Sequence, residues 1–209
     1  AGDVAGQTYK APRTLSYQSD LKTREAEDAA AAQVQPVYRR DVTASSQQDG
    51  KLSATFAAIN ALRTDPAPLP ERASRLQQVV PNLSTEQAEA LLRVDDATWA
   101  QVQTVTAEAL RKLQATQVKQ DDLAKADQLV AANIPTTTPR QVRDQAIVLG
   151  QRLLIPNYLI DTEATEAAKT SAKNAVEPVR YTVERDQVIV FRGQVLSDFD
   201  AERLAAAGL

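Results

Sequence analysis

Apolar residues recur at helical spacing through the middle of the chain, whereas short alternating or continuous apolar runs are confined to its two ends. Leu52, Phe56, Ile59 and Leu62 share one face of a helix predicted over 44–62. Asp65-Pro66-Ala67-Pro68-Leu69-Pro70 then reads as a stiff linker and a candidate hinge, followed by a short helix that stops before Pro81. Ser84-Thr85-Glu86-Gln87 is a capping-box pattern that opens a helix with Ala88, Leu91 and Leu92 on its apolar side. Asp95 starts a long helix carrying Trp99, Val102, Val105, Ala109, Leu110 and Leu113, and Asp121 starts another with Leu123, Ala126 and Val130. Thr138-Pro139-Arg140-Gln141 offers a cap residue, a proline for the first turn and Gln three places on; its helix carries Val142, Ala146, Leu149 and Leu153.

The ends read differently. Residues 4–17, with Thr14, Leu15 and Tyr17, suggest a short edge strand, and Ser19-Asp20 caps a helix over 21–33. Near the other end, 155–160 is extended and Asp161 caps an Ala-rich helix to about 176. Val179, Tyr181 and Val183 then alternate, Arg185-Asp186 makes a turn, and 188–191 is a nearly continuous apolar strand, which together predict a hairpin. Arg192-Gly193-Gln194 is a second turn, Ser197 caps a terminal helix, and Gly208 lies where a C-cap glycine belongs. The ends also align with each other. Pro12 and Leu15 match Pro156 and Leu159; after a two-residue gap, Thr23, Ala26, Ala30, Val34, Pro36 and Val37 match Thr165, Ala168, Ala172, Val176, Pro178 and Val179. Similarity of composition between Ala-rich helices is the alternative explanation. A true repeat would set the two copies side by side.

These patterns predict an α+β fold, mainly helical, with a small mixed or antiparallel sheet built from the N- and C-terminal segments. Residues 1–40 with 155–209 form the mixed part, and 41–154 form a helical insertion. Composition agrees with the helical emphasis: 36 of 209 residues are Ala and only 6 are Gly. No apolar run approaches the roughly 20 residues that cross a bilayer, and no signal peptide is visible. Because the chain opens on Ala1, it is expected to be a processed protein or a piece of a longer one.

The chain has no His and no Cys. A structural zinc site of the usual kind, a thiol nucleophile, a Ser-His-Asp triad and a disulfide are therefore excluded, and acid–base chemistry would need a retuned carboxylate or Lys. A formal charge of −3, from 24 basic against 27 acidic residues, argues against a nucleic-acid partner. No cofactor is implied. The carboxylate pairs Asp95-Asp96, Asp121-Asp122 and Asp198/Asp200 each sit at a predicted helix start, where capping explains them better than catalysis. Residues 41–51 are polar and loop-like around Asp49-Gly50, and fit a solvated loop better than a cation site. Arg13, Tyr38, Asn157, Tyr158, Tyr181 and Arg192 cluster in the two mixed ends, and they form the candidate ligand-binding set, lining a groove between sheet and helices. Polar tips on a half-buried surface are the plainer alternative for each.

Several of these words also occur together in a known family. Ala11-Pro12-Arg13 leads to a charged helix and Pro36-Val37-Tyr38; Leu154-Ile155-Pro156-Asn157 leads to Asp161-Thr162-Glu163-Ala164; Val176-Glu177-Pro178-Val179 precedes Arg192-Gly193-Gln194-Val195 and the closing Gly208-Leu209. The chain thus resembles the extracellular domain of bacterial seven-transmembrane receptors that carry a cytoplasmic HD-type phosphohydrolase. The specific words lie in the first 40 and last 55 residues; the helical middle is generic.

The resemblance implies a parent that is a metal-dependent cyclic di-AMP phosphodiesterase in the bacterial cell membrane, with this domain on its extracellular or periplasmic face. The HD centre needs His ligands, so no catalytic residue transfers to this chain. What is implied is a non-catalytic sensory or interaction domain. Its expected partners are the flanking membrane helices, an extracellular ligand or protein, and a second copy in a homodimer. Two other classes remain open: an exported helical chaperone or assembly factor, with its apolar cradle for clients, and a carboxylate-dependent glycan hydrolase, which needs two carboxylates roughly 5–10 Å apart in a cleft.

Overall fold

A computed structural model describes residues 2–209. The chain begins with strands β1 (Tyr9–Lys10) and β2 (Leu15–Gln18), helix α1 (Asp20–Ala32) and strand β3 (Tyr38–Arg40). Six helices follow: α2 (Ala44–Thr64), α3 (Leu69–Val79), α4 (Thr85–Arg93), α5 (Asp96–Gln114), α6 (Ala126–Ala132) and α7 (Arg140–Leu153). The chain closes with β4 (Tyr158–Ile160), α8 (Thr162–Asn174), β5 (Arg180–Val183), β6 (Val188–Val190) and α9 (Asp198–Ala207). The fold is α+β and mainly helical, with three small antiparallel ladders of two strands each among the described residues. It divides into two compact units: Ala1–Val37 with Asp161–Leu209, and Tyr38–Ile160.

In the first unit the chain's ends form one long antiparallel ribbon. Leu15 to Gln18 of β2 pair with Val183 to Arg180 of β5, and Tyr9 of β1 pairs with Val190 of β6. Bonds beyond the strands extend it: Ser19 N–H donates to the Val179 carbonyl (2.9 Å), Ala11 N–H to Gln187, Ala5 N–H to Gln194, and Gly2 N–H to Leu196. The predicted hairpin between β5 and β6 does not form. Each of those strands spends its ladder on the N-terminal segment, and Asp186 in the left-handed region (φ 64°) turns the chain between them. Val183, Ile189 and Val190 bury the inner face of the ribbon with Ala5 and Ala11.

Helices α1 and α8 pack together in this unit and are anchored alike. The Thr23 hydroxyl donates to Ser19 O and accepts from Val179 N–H, while the Thr165 hydroxyl donates to Asp161 O and accepts from Val37 N–H. Ser19 and Asp161 are the two N-caps. These residues correspond at a constant separation of 142 positions, which also relates the pair Leu15–Val183 to the bond between Asp41 N–H and Asn157 O. No gap is needed before the strands, so Leu15 corresponds to Asn157 rather than to Leu159.

The second unit is a helical body. Ile59, Leu76, Leu91, Val102, Leu110, Val130 and Leu149 are fully buried in its core. The capping box predicted at Ser84 and Gln87 is formed, and Asp95 caps α5 by accepting from Thr98 N–H. Three local expectations change. Residues 44–51, read as part of a solvated loop, form the first turns of α2. Thr138 does not cap α7, because its own N–H is turned onto Pro135 O and Pro139 takes the N-cap position. The helix expected from Asp121 begins as a 3₁₀ turn (Gln120–Lys125), in which Asp122 accepts from Lys119 N–H, and α6 follows only at Ala126. The Pro-rich segment is tied down, since Asp65 accepts from Ala67 N–H and pairs with Arg75.

Candidate functional site

Three of the six candidate residues, Tyr38, Asn157 and Tyr158, lie in the helical unit. β3 and β4 pair antiparallel, with Arg40 opposite Tyr158 and Tyr38 opposite Ile160. The Lys119 ammonium lies 4.2 Å from the centre of the Tyr38 ring, a cation–π contact. Asn157 is fully buried and every polar group of its side chain is spent on backbone. Its Oδ1 accepts from Val118 N–H (2.8 Å), and its Nδ2 donates to the Gln114 and Thr116 carbonyls (2.9 and 2.8 Å). Those carbonyls belong to the end of α5, where intrahelical donors run out, so Asn157 staples that end to β4. A recess of about 180 Å³ lies beside it, bounded by Arg40, Asp41, Ser45 and Gln114.

The other three lie in the unit formed by the chain ends. Tyr181 on β5 meets Tyr17 (6.3 Å between ring centres) and Phe199 (5.0 Å) edge to face. The Arg203 guanidinium sits against both Tyr181 and Phe199. Burial, with Glu202 next, pushes the Tyr17 hydroxyl above its ordinary pKa. Arg13 and Arg192 stand on exposed turns, and Arg192 N–H donates to the Thr8 hydroxyl. Tyr38, Asn157 and Tyr158 therefore belong to one unit, and Arg13, Tyr181 and Arg192 to the other.

The carboxylate pairs serve helix starts. Asp95 caps α5 and Asp96 pairs with Arg63; Asp122 closes the 3₁₀ turn; Asp200 completes the capping box of α9 with Ser197. Among the described residues no three His, Cys, Asp or Glu side chains converge on a metal position.

Sequence reading passed over a cavity of about 580 Å³ in the helical unit, formed by α2, the α3–α4 turn and the end of α7. Lys51 and Arg152 line it, together with Thr55, Val80, Asn82 and Leu154. Arg152 Nε and Nη2 donate to Asn82 O (3.1 and 2.7 Å), Nη2 also to Gln87 Oε1 (2.9 Å), and Nη1 to Val148 O (2.8 Å). Lys51 Nζ donates to Arg152 O (3.1 Å). Among the described residues neither cation pairs with a carboxylate. Lys51 is exposed as a residue, yet desolvation of its ammonium holds its pKa below the ordinary lysine value, and desolvation likewise lowers Arg152. The only sequence signal for this site was the interruption of an apolar stretch by Gln151 and Arg152. A second, more apolar groove of about 400 Å³ runs between α5 and the start of α7, along Ala100, Val105, Pro139 and Val142.

The fold is thus mainly helical α+β, with polar side chains engaged in helix capping and in stapling the end of α5. The chain belongs to the family described as 7TM-HD extracellular (7TMR-HDED), which matches residues 1–209. It is also similar to the cyclic-di-AMP phosphodiesterase PgpH of Bacillus subtilis (strain 168), at 23% identity over 218 residues, covering 99% of this chain. The chain spans 30% of that relative's length. No solved structure matches. No helix among the described residues is long and apolar enough to cross a membrane.

Proposed function

We propose that this chain is the non-catalytic, outward-facing input domain of a membrane-bound HD-type cyclic di-AMP phosphodiesterase. The family match across the whole chain carries the reading. The PgpH relative supports it, because this chain aligns with under a third of that protein and leaves length for membrane helices and a hydrolase. The missing His supports it too, since an HD centre draws His ligands and they would lie elsewhere in the polypeptide. Membrane helices flanking the chain would be its covalent partners, and a ligand would act by binding two states of the domain unequally.

The test is cyclic di-AMP hydrolysis by the full-length protein in membranes, with and without residues 1–209 replaced by a flexible linker, alongside the isolated chain with manganese. The isolated chain should not hydrolyse the nucleotide. The shortened protein should retain hydrolysis at an altered rate. Hydrolysis by the isolated chain would overturn the reading, and so would an unchanged rate in the shortened, membrane-inserted protein.

A further inference from the structure

We propose that the cavity between α2, the α3–α4 turn and the end of α7 binds a small organic anion with an apolar body. Folded proteins pair partly buried charges, because a desolvated charge without a counter-ion is costly. Here two cations face one cavity and no carboxylate accompanies them. Arg152 spends most of its N–H groups on neutral carbonyls and an amide, which satisfies its hydrogen bonds and leaves its charge uncompensated. Lys51 gives one N–H to Arg152 O and keeps two for an incoming oxygen pair.

The site is also held in shape. Asn82 adopts the left-handed conformation (φ 66°), which asparagine tolerates better than most residues, with its carbonyl turned onto the guanidinium. The remaining walls are mostly aliphatic, with Val79 (44% exposed), Leu123 and Ile155 among them, alongside the polar Thr55 and Gln151. A volume of about 580 Å³ lies in the range of small-molecule pockets, about 300–1,000 Å³. Cationic donors beside aliphatic walls select a carboxylate or phosphate on a hydrocarbon body. Cations are repelled, and neutral analogues leave both charges unpaired.

Such a ligand would be the input of the domain proposed above and draws its biological meaning from that reading. Binding to the isolated 209-residue chain tests the site alone, whereas the linker replacement tests the role. Side-chain methyl NMR would follow titrations with octanoate, octyl phosphate, octanol and octylamine. Octanoate or octyl phosphate should shift the Val80 and Leu154 methyls saturably, octanol should bind more weakly, and octylamine should leave them unmoved. The tighter of the two anions identifies the head group. Lys51→Gln should weaken anion binding about tenfold, the loss expected for one charge-assisted hydrogen bond, with melting temperature unchanged; Lys51→Arg should restore most of it. Equal binding of octanol, unchanged affinity in Lys51→Gln, or no saturable shift with either anion would overturn the proposal.

Discussion

Gly150 sits in the interior of α7, where a Cβ would lie 2.7 Å from Val130 Cγ1 and 3.1 Å from Cγ2. Two effects of Gly150→Ala oppose each other. Replacing an interior helical glycine gains about 1 kcal/mol of backbone propensity. The new methyl, however, meets a fully buried valine on α6. A helical valine has essentially one comfortable rotamer, so it cannot swing aside. Overpacking of this kind costs about 1–3 kcal/mol, so Gly150→Ala should destabilise by about 1 kcal/mol. The decisive measurement is a double-mutant cycle with Val130→Ala, followed by urea unfolding through the fluorescence of Trp99, which lies in the same core. Val130→Ala alone should cost about 2 kcal/mol, from two lost methyl groups plus a cavity. In that background Gly150→Ala should reverse sign and stabilise, because its methyl enters the vacated space. Additivity within about 0.5 kcal/mol, or stabilisation by Gly150→Ala in the parent, would refute a close approach of α6 and α7.

Other substitutions test the anchoring of each unit. Asn60 Oδ1 accepts from the buried Trp99 indole N–H at 2.6 Å; Asn60→Ala should cost about 1–3 kcal/mol and shift Trp99 emission. Thr165→Val removes the acceptor of Val37 N–H and should cost about 1–2 kcal/mol in thermal melts, with Thr23→Val acting in the same direction at Val179 N–H. Burial raises the Glu202 pKa, but hydrogen bonds from the Ser19 hydroxyl (2.6 Å) and Leu21 N–H (3.1 Å) outweigh it, and the net shift is downward. A depressed carboxylate pKa stabilises the fold above the unfolded value, about 4.3, and that contribution disappears as pH falls through the folded value. Glu202→Gln should therefore flatten the acid limb of the stability profile; an identical acid limb would refute the role.

Helix boundaries were legible because they are local chemistry. Ser84, Asp95, Asp161 and Ser197 each accept from an N–H three residues on, a geometry written within four residues of sequence. Strand pairing was not local. Residues 179–190 carry the alternation, turn and apolar run of a hairpin, but the partners of β5 and β6 lie within residues 9–18, and nothing in a strand's own pattern names its neighbour. Thr138 failed as a cap for a related reason, since its motif competed with a turn onto Pro135. The candidate site was legible only in part. Asn157, read as a groove residue, has its side chain committed to the end of α5. Lys51 and Arg152, on helices far apart in sequence, become neighbours only once the core has formed.

The ribbon that joins Gly2 to Leu196 has a consequence for synthesis. The unit Tyr38–Ile160 has every residue of its own core before Asp161 leaves the ribosome, whereas β1 and β2 must wait for β6 and β5. Contacts of such long sequence separation form late and slowly. A nascent chain halted after Val176 would thus hold a compact helical body with the bare strand edges of its first residues still seeking a partner. Those edges are the part of this molecule most in need of protection between ribosome and final location.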